Sequence, residues 1–190
     1  RDVLGSRGLG DVYKRQRNSI VMELVQQLKE DGKAKGLCRM WQMKLRTGLD
    51  YEQLIQLYIK GIDFCISENY PTLDFIREHF KGKCEVYGVF VDDEVTDKVN
   101  LPDVVLNGDC KAMLEYDGYS VSRVYARHDS HSAVNVSDNA IVTIDAFDNS
   151  YLYVAVAGTD AKVLVNLYGN AKADIEGVGI EVRQMNKNTY

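Results

Sequence analysis

The sequence predicts an α+β fold: an N-terminal helical region followed by a short β-solenoid of about ten-residue strand-turn units. Three observations carry this. From Asn107 onward a two-residue turn signal returns about every ten residues, at Gly108-Asp109, Asp117-Gly118, Asp129-Ser130, Asp138-Asn139, Asp148-Asn149, Gly158-Thr159 and Gly169-Asn170. Between these signals apolar residues occupy every second position, the period of a strand with one buried face. Upstream of Gly82 the apolar period is helical instead.

In chain order, residues 1–16 come first and include the run Ser6 to Gln16, which resembles translated sequencing-adaptor read-through; they are set aside as non-native, with Met22 as the expected start. Gly8-x-Gly10 lacks the third glycine and the preceding strand of a phosphate loop. Residues 17–83 form the helical domain. Ile20, Val21, Leu24 and Leu28 mark a first helix from Ser19 to Asp31, stopped at Gly32, and a second runs from about Ala34 to Arg46. A third starts after Asp50, which caps it with Gln53 three residues on, and carries the stripe Tyr51, Leu54, Ile55, Tyr58, Ile59 and Ile62 to about Asn69. A fourth follows Pro71 to about Phe80, with Leu73, Phe75, Ile76 and Phe80 facing its core.

Residues 84–103 read as a connecting β-hairpin turning at Asp92-Asp93, residues 104–183 as the repetitive β-domain and 184–190 as a tail. Within the repeat one alternating set is small or aliphatic, from Cys110, Ala112 and Leu114 through Val142, Ile144 and Ala146 to Ala171, Ala173 and Ile175, and is expected to line a narrow interior. If each corner bends the same way, two units make a coil and the domain has roughly three to four coils. If each corner reverses the chain, the result is an antiparallel β-meander or barrel. Uniform Asp-Asn corners followed by a small inward residue favour the solenoid. The other set (Ile141, Phe147, Tyr151, Tyr153, Leu164 and Tyr168) is apolar for a solvated face, so a cover is expected, either the helical half or a second subunit.

Composition limits the function classes. With 45% hydrophobic and 27% charged residues the chain has the profile of a globular protein, and no apolar run reaches the ~18 residues of a membrane span. No membrane partner is expected. Net charge is −5, but residues 17–83 carry 11 Lys and Arg against 9 Asp and Glu, whereas residues 84–190 carry 8 against 17. An acidic β-domain repels a phosphate backbone, so nucleic acid is not an expected partner, and the basic set Lys33, Lys35, Arg39, Lys44 and Arg46 reads as a solvated helix face. Cys38, Cys65, Cys84 and Cys110 show no zinc spacing and read as reduced thiols of a cytoplasmic protein, or of a virion if the gene is a phage's. No cofactor and no catalytic residue is assigned.

The densest polar cluster is the candidate binding site: Arg123, Arg127, His128, Asp129 and His131 with Ser130 and Ser132, extended by Tyr151 and Tyr153. His128-x-x-His131 with Asp129 lacks the further ligand a metal needs, and no strand-to-helix elbow presents a nucleophilic serine. Asp92, Asp93 and Glu94 have the residue types of a glycosidase pair, and Tyr116, Tyr119 and Tyr125 those of a sugar-stacking set.

The stretch from Tyr58-Ile59-Lys60-Gly61-Ile62-Asp63-Phe64-Cys65 through Gly88-Val89-Phe90-Val91-Asp92-Asp93 to Val104-Val105-Leu106-Asn107-Gly108 resembles a family of uncharacterised proteins of gut bacteria and their phages. The resemblance implies a helical head on a repetitive β-domain, encoded by a phage or prophage, and brings no functional residues with it. The expected function is a non-enzymatic structural or protein-binding protein that uses the solenoid for assembly, through self-association or a protein partner. The alternative is a carbohydrate-binding or polysaccharide-active module.

Overall fold

The computed structural model describes the backbone of residues 5–190 and the side chains of residues 19–190. The set-aside segment therefore lies partly outside the described residues, and the backbone of residues 5–16 is helical. The chain divides into two compact units between Thr72 and Leu73.

The first unit holds α1 (Gly5–Ala34), α2 (Arg39–Lys44), α3 (Tyr51–Lys60) and α4 (Ile62–Ser67). Val21, Leu24, Val25 and Leu28 of α1 are buried, as are Leu54, Ile55 and Tyr58 of α3. The Tyr70 hydroxyl donates to the Leu28 carbonyl at 2.6 Å, tying the end of the unit to α1. Asp50 caps α3 as expected: its carboxylate accepts from the Gln53 N–H at 2.8 Å, and the Gln53 side chain accepts from the Asp50 N–H at 3.1 Å. Two expectations change. The second helix is confined to Arg39–Lys44, because Gly36 takes a left-handed φ of 89° and Cys38 is extended. The long third helix breaks at Gly61 into α3 and α4.

The second unit opens with α5 (Leu73–His79) and a 3₁₀ turn (Glu85–Tyr87), followed by eleven strands: β1 (Val89–Val91), β2 (Glu94–Val99), β3 (Asp103–Asn107), β4 (Lys111–Tyr116), β5 (Val121–Ala126), β6 (His131–Val136), β7 (Ile141–Ala146), β8 (Tyr151–Val156), β9 (Lys162–Leu167), β10 (Lys172–Glu176) and β11 (Ile180–Gln184). Odd strands form one sheet in the order β1-β3-β5-β7-β9-β11, even strands the other in the order β10-β8-β6-β4-β2. Every pairing is parallel. This is a β-solenoid. Parallel pairing of each strand with the one two positions away excludes the meander and the barrel.

The solenoid is longer than the expected three to four coils, with five two-strand coils and a closing strand. The additional turns come from segments assigned otherwise. Residues 84–103 are no hairpin, since β1 and β2 lie in different sheets. Asp92 there takes a left-handed φ of 49°, so the chain passes into the opposite sheet as at later corners. The helix expected at the end of the first domain belongs to this unit: Arg77 of α5 grips Asp92 through Nε at 2.6 Å and Nη2 at 3.0 Å, and Lys81 lies 3.5 Å from Asp93.

The interior is the predicted alternating set. Val134, Val142, Ile144, Ala146, Leu152, Val154 and Val165 are fully buried. Near the corners the lining is small, as in the column Cys110, Ser130, Ser150 and Ala171, all buried. The set loses its cover only at the C-terminal end, where Ile175 is 49% exposed.

The corners are stacked as regularly as the strands. Positive φ recurs at Asp92, Gly108, His128, Asp148 and Gly169 on one side, and at Gly118, Asp138 and Gly158 on the other. A carboxylate of the following coil accepts the left-handed residue's N–H: Gly118 N–H to Asp138 Oδ2 at 3.0 Å, and His128 N–H to Asp148 Oδ2 at 2.9 Å, each spanning 20 residues. The next main-chain amide continues to the coil before, Asn139 N–H to the Gly118 carbonyl and Asn149 N–H to the His128 carbonyl. Asparagine side chains add a second rail: Asn149 Nδ2 donates to Asp129 Oδ1 at 3.0 Å and Asn170 Nδ2 to Asn149 Oδ1 at 3.3 Å.

The outer set also has a partial cover, of a kind not expected. Residues 185–190 fold back on their own unit: the Gly169 N–H donates to the Lys187 carbonyl, and Tyr190 packs edge-on against Phe147 and Tyr168, which stack on each other at 4.6 Å. Phe147 and Tyr168 are buried, whereas Ile141 and Tyr153 stay 46% and 39% exposed.

The corner ladder has a direct test. Asp138→Ala loses the carboxylate acceptor and places a Cβ-bearing residue without a local hydrogen bond in the left-handed region, a combined cost of about 2 kcal/mol, of which Asp138→Gly bears only the lost bond, about 1 kcal/mol. Urea unfolding midpoints should rank wild type above Asp138→Gly above Asp138→Ala.

Candidate functional site

Ser130 and Ser132 of the predicted cluster are buried, and the other seven residues singled out from the sequence do not form one site. Arg123 lies on the outer face of the odd-strand sheet, where its Nη2 pairs with Asp103 Oδ1 at 2.9 Å. Arg127 is 3% exposed, and its Nη1 donates to the Asn107 carboxamide oxygen at 3.4 Å. Asn107 and Arg127 belong to one column with Phe147 and Tyr168, every member of which is buried.

His128 is a corner residue. Its φ is 60°, and its Nδ1 accepts the Gly108 N–H at 3.0 Å, the task performed by Asp138 and Asp148 in their coils. That bond requires a neutral ring with its lone pair on Nδ1. Burial, and after it the Arg127 charge, pulls the ring down to about 4 from its ordinary 6.5. Asp129 accepts from Asn149 in the outer rail. The His128, Asp129 and His131 triplet is thus partly built into the ladder. Among the described residues no three His, Cys, Asp or Glu side chains converge as a metal set.

The remaining three predicted residues are brought together. His131, Tyr151 and Tyr153 project from neighbouring strands on the outer face of the even-strand sheet. The register lines up Glu94, Lys111, His131, Tyr151 and Lys172 in one row, and Met113, Ala133, Tyr153 and Asp174 in the next. Small Ala133 between Met113 and Tyr153 leaves a shallow depression floored by β6. The His131 ring lies 6.0 Å from that of Tyr151, and its Nδ1–H donates to the Asp129 carbonyl at 3.0 Å. Tyr151 donates its hydroxyl to Asp174 and Tyr153 its hydroxyl to Glu176; these bonds raise both phenols above their ordinary values. Each tyrosine is thereby leaned toward β10 and held there.

Other candidates are consumed by structure. Asp92 accepts from Arg77 and from the Asp109 N–H, and the Arg77 bond holds its carboxyl down to about 2; Asp93 accepts from the Val91 N–H. These acids organise a corner. Tyr116 and Tyr125 are buried and Tyr119 is exposed, so the three do not make a platform. Cys65, Cys84 and Cys110 are buried thiols and Cys38 is an exposed one; burial lifts the Cys84 thiol to about 12 and Cys110 to about 11, away from nucleophilic use. Among the described residues no helix is long and apolar enough to cross a membrane.

What sequence reasoning missed is the partnership of Asp174 and Glu176 with the two tyrosines. The available signal was register: a coil of about 20 residues puts residues 151 and 153 beside 172 and 174. Compared with known protein families, curated proteins and solved structures, the chain matches none.

His128 makes stability pH-dependent in a defined window. Its folded value lies below its unfolded one, so its contribution is complete above about 6.5 and is lost as pH falls toward about 4. Denaturant midpoints of wild type should drop across that interval, and His128→Asn, which keeps an acceptor without a titrating ring, should flatten the drop.

Proposed function

We propose that this chain is a non-enzymatic structural or protein-binding protein in which the β-solenoid is a rigid assembly element and the outer face of the even-strand sheet receives a protein partner. The observation that carries the reading is the division of labour among polar residues. Those with catalytic potential, Asp92, His128 and Asp148, are spent on corner hydrogen bonds. The exposed face instead offers a shallow depression lined by Met113, Ala133, His131 and two anchored tyrosines. Aromatic rings whose orientation is already fixed lose little conformational entropy when a partner packs on them. A phage or prophage origin, the expectation drawn from the sequence, suits a role in a particle or its assembly.

Carbohydrate binding is a second reading, favoured by the pairing of Tyr151 and Tyr153 with the carboxylates of Asp174 and Glu176, since rings flanked by acceptors suit sugar faces and hydroxyls.

Light scattering on the chain, alone and co-purified with products of adjacent genes, tests the first reading. The expected result is a complex that Tyr153→Glu dissolves while leaving the circular dichroism unchanged. A chain monomeric alone and with every neighbour, or one retarded in polysaccharide affinity gels through Tyr151, replaces it with the second.

A further inference from the structure

The two ends of the solenoid are not alike. At the N-terminal end all three residues of β1 are buried, and Arg77 and Lys81 fasten the segment before it to the first corner. At the C-terminal end β10 and β11 are the outermost strands of their sheets, almost every residue of both is at least partly exposed, and Ile175, Val178 and Val182 present apolar surface. Residues 185–190 stand over the Gly169 corner, where the Lys187 carbonyl accepts the Gly169 N–H, and then turn back toward Phe147, leaving β10 and β11 themselves exposed. Gly177 and Gly179 keep it level: a Cβ on either would strike the carbonyl of Val156 or Ala161, so the turn between the strands lies flat on the coil before it. An open parallel edge is a template for further pairing unless it is blocked.

These two edges are complementary to themselves. Resting on the reading of the solenoid as an assembly element, we infer that two copies of the chain join end to end through β10 and β11, about a two-fold axis that passes through Asp174 and Val182.

Hydrogen-bond parity supports that axis. Lys172 N–H bonds to the Ser150 carbonyl, so in a parallel ladder Lys172, Asp174 and Glu176 direct their main-chain groups to β8, and those of Ala173 and Ile175 face outward. Met185 N–H bonds to the Leu167 carbonyl, and Val163 N–H to Gly179, so in β11 the outward groups belong to Ile180, Val182 and Gln184. Antiparallel pairing about Asp174 sets Ala173 against Ile175 of the second copy, and pairing about Val182 sets Val182 against itself and Ile180 against Gln184. In each case both residues of the pair have outward-facing main-chain groups.

The same axis serves both strands, because β10 and β11 flank their turn symmetrically about Val178. Charges follow the register. Lys172 meets Glu176 of the second copy, and Glu181 meets Arg183, each in the closer, non-hydrogen-bonded type of pair where side chains interact most. Inward, Ile175 and Val182, open in one copy, continue the aliphatic lining into the next. One opposing term is built in: Asp174 faces Asp174 at the axis. Two five-residue edges also make a small joint, so the equilibrium is concentration-dependent.

Sedimentation velocity over a concentration series is the experiment. Wild type is expected to interconvert between monomer and dimer; Lys172→Glu should weaken the dimer about tenfold, the double exchange Lys172→Glu with Glu176→Lys should restore it, and Asp174→Asn should tighten it. In a Cys38→Ser background, Asp174→Cys should link to itself under mild oxidation. Lys172→Cys and Glu176→Cys should link only when mixed. A dimer indifferent to Lys172→Glu and unlinked through residue 174 overturns this joint while keeping the assembly reading. A monomer that still binds an adjacent-gene product does the same, and a monomer that binds nothing removes both.

Discussion

Parallel stacking of one coil on the next depends on the corners, and the corners depend on a residue that tolerates positive φ while its neighbour in the next coil accepts its N–H. Strand ladders alone would leave each bend with an amide aimed along the axis and no partner, a cost comparable to the bond itself. Asp138 and Asp148 meet both demands at once. They sit in the left-handed region, which short acceptor side chains populate, and their carboxylates reach back to the coil before. Coil spacing and the alignment of inward residues follow from that contact, and so does the flatness of the outer faces.

Seen this way, the chemistry of the second unit is architectural. A histidine with a depressed value, a strongly acidic aspartate and two inert thiols would each draw attention in a cleft. Here each has a local structural cause: an amide acceptor, an arginine grip, burial. The groups that are not absorbed in this way lie on the outside of the even-strand sheet. There the register of the coils, rather than proximity in sequence, gathers His131, Tyr151, Tyr153, Asp174 and Glu176.

Much of the fold was legible in the sequence because corner signals and alternation are local properties that the solenoid repeats. The lining from Cys110 to Ala171 could be read residue by residue, as could the capping pair Asp50 and Gln53. The first coil was not, because β1 has only three residues and β2 is interrupted by a register shift between Val95 and Lys98, so the stretch imitates a hairpin. His128 reads as chemistry in the sequence because a polar cluster surrounds it, and only the stacked φ values show it standing at a corner where Asp or Gly stands in the other coils. The break at Gly61 and the folded-back Tyr190 depend on tertiary contact and leave no periodic trace. For the candidate face, Tyr151 and Tyr153 were visible as apolar residues on a side expected to be wet, but their carboxylate partners lie more than twenty positions away.

The near-constant interval of the ladder also governs how such a chain can change over evolutionary time. Gain or loss of one entire turn keeps every left-handed position above its acceptor, whereas a single inserted residue within a strand rotates the side chains that follow inside out unless a bulge absorbs it, as in β2 between Val95 and Lys98. The one-residue excess between Asp148 and Gly169, compared with the 20-residue steps from Gly108 to His128 and from His128 to Asp148, coincides with the bend at Gly158 to Asp160, where it disturbs no lining residue. Length in this architecture is therefore a quantised trait, adjustable by duplication of modules and buffered at its bends and bulges.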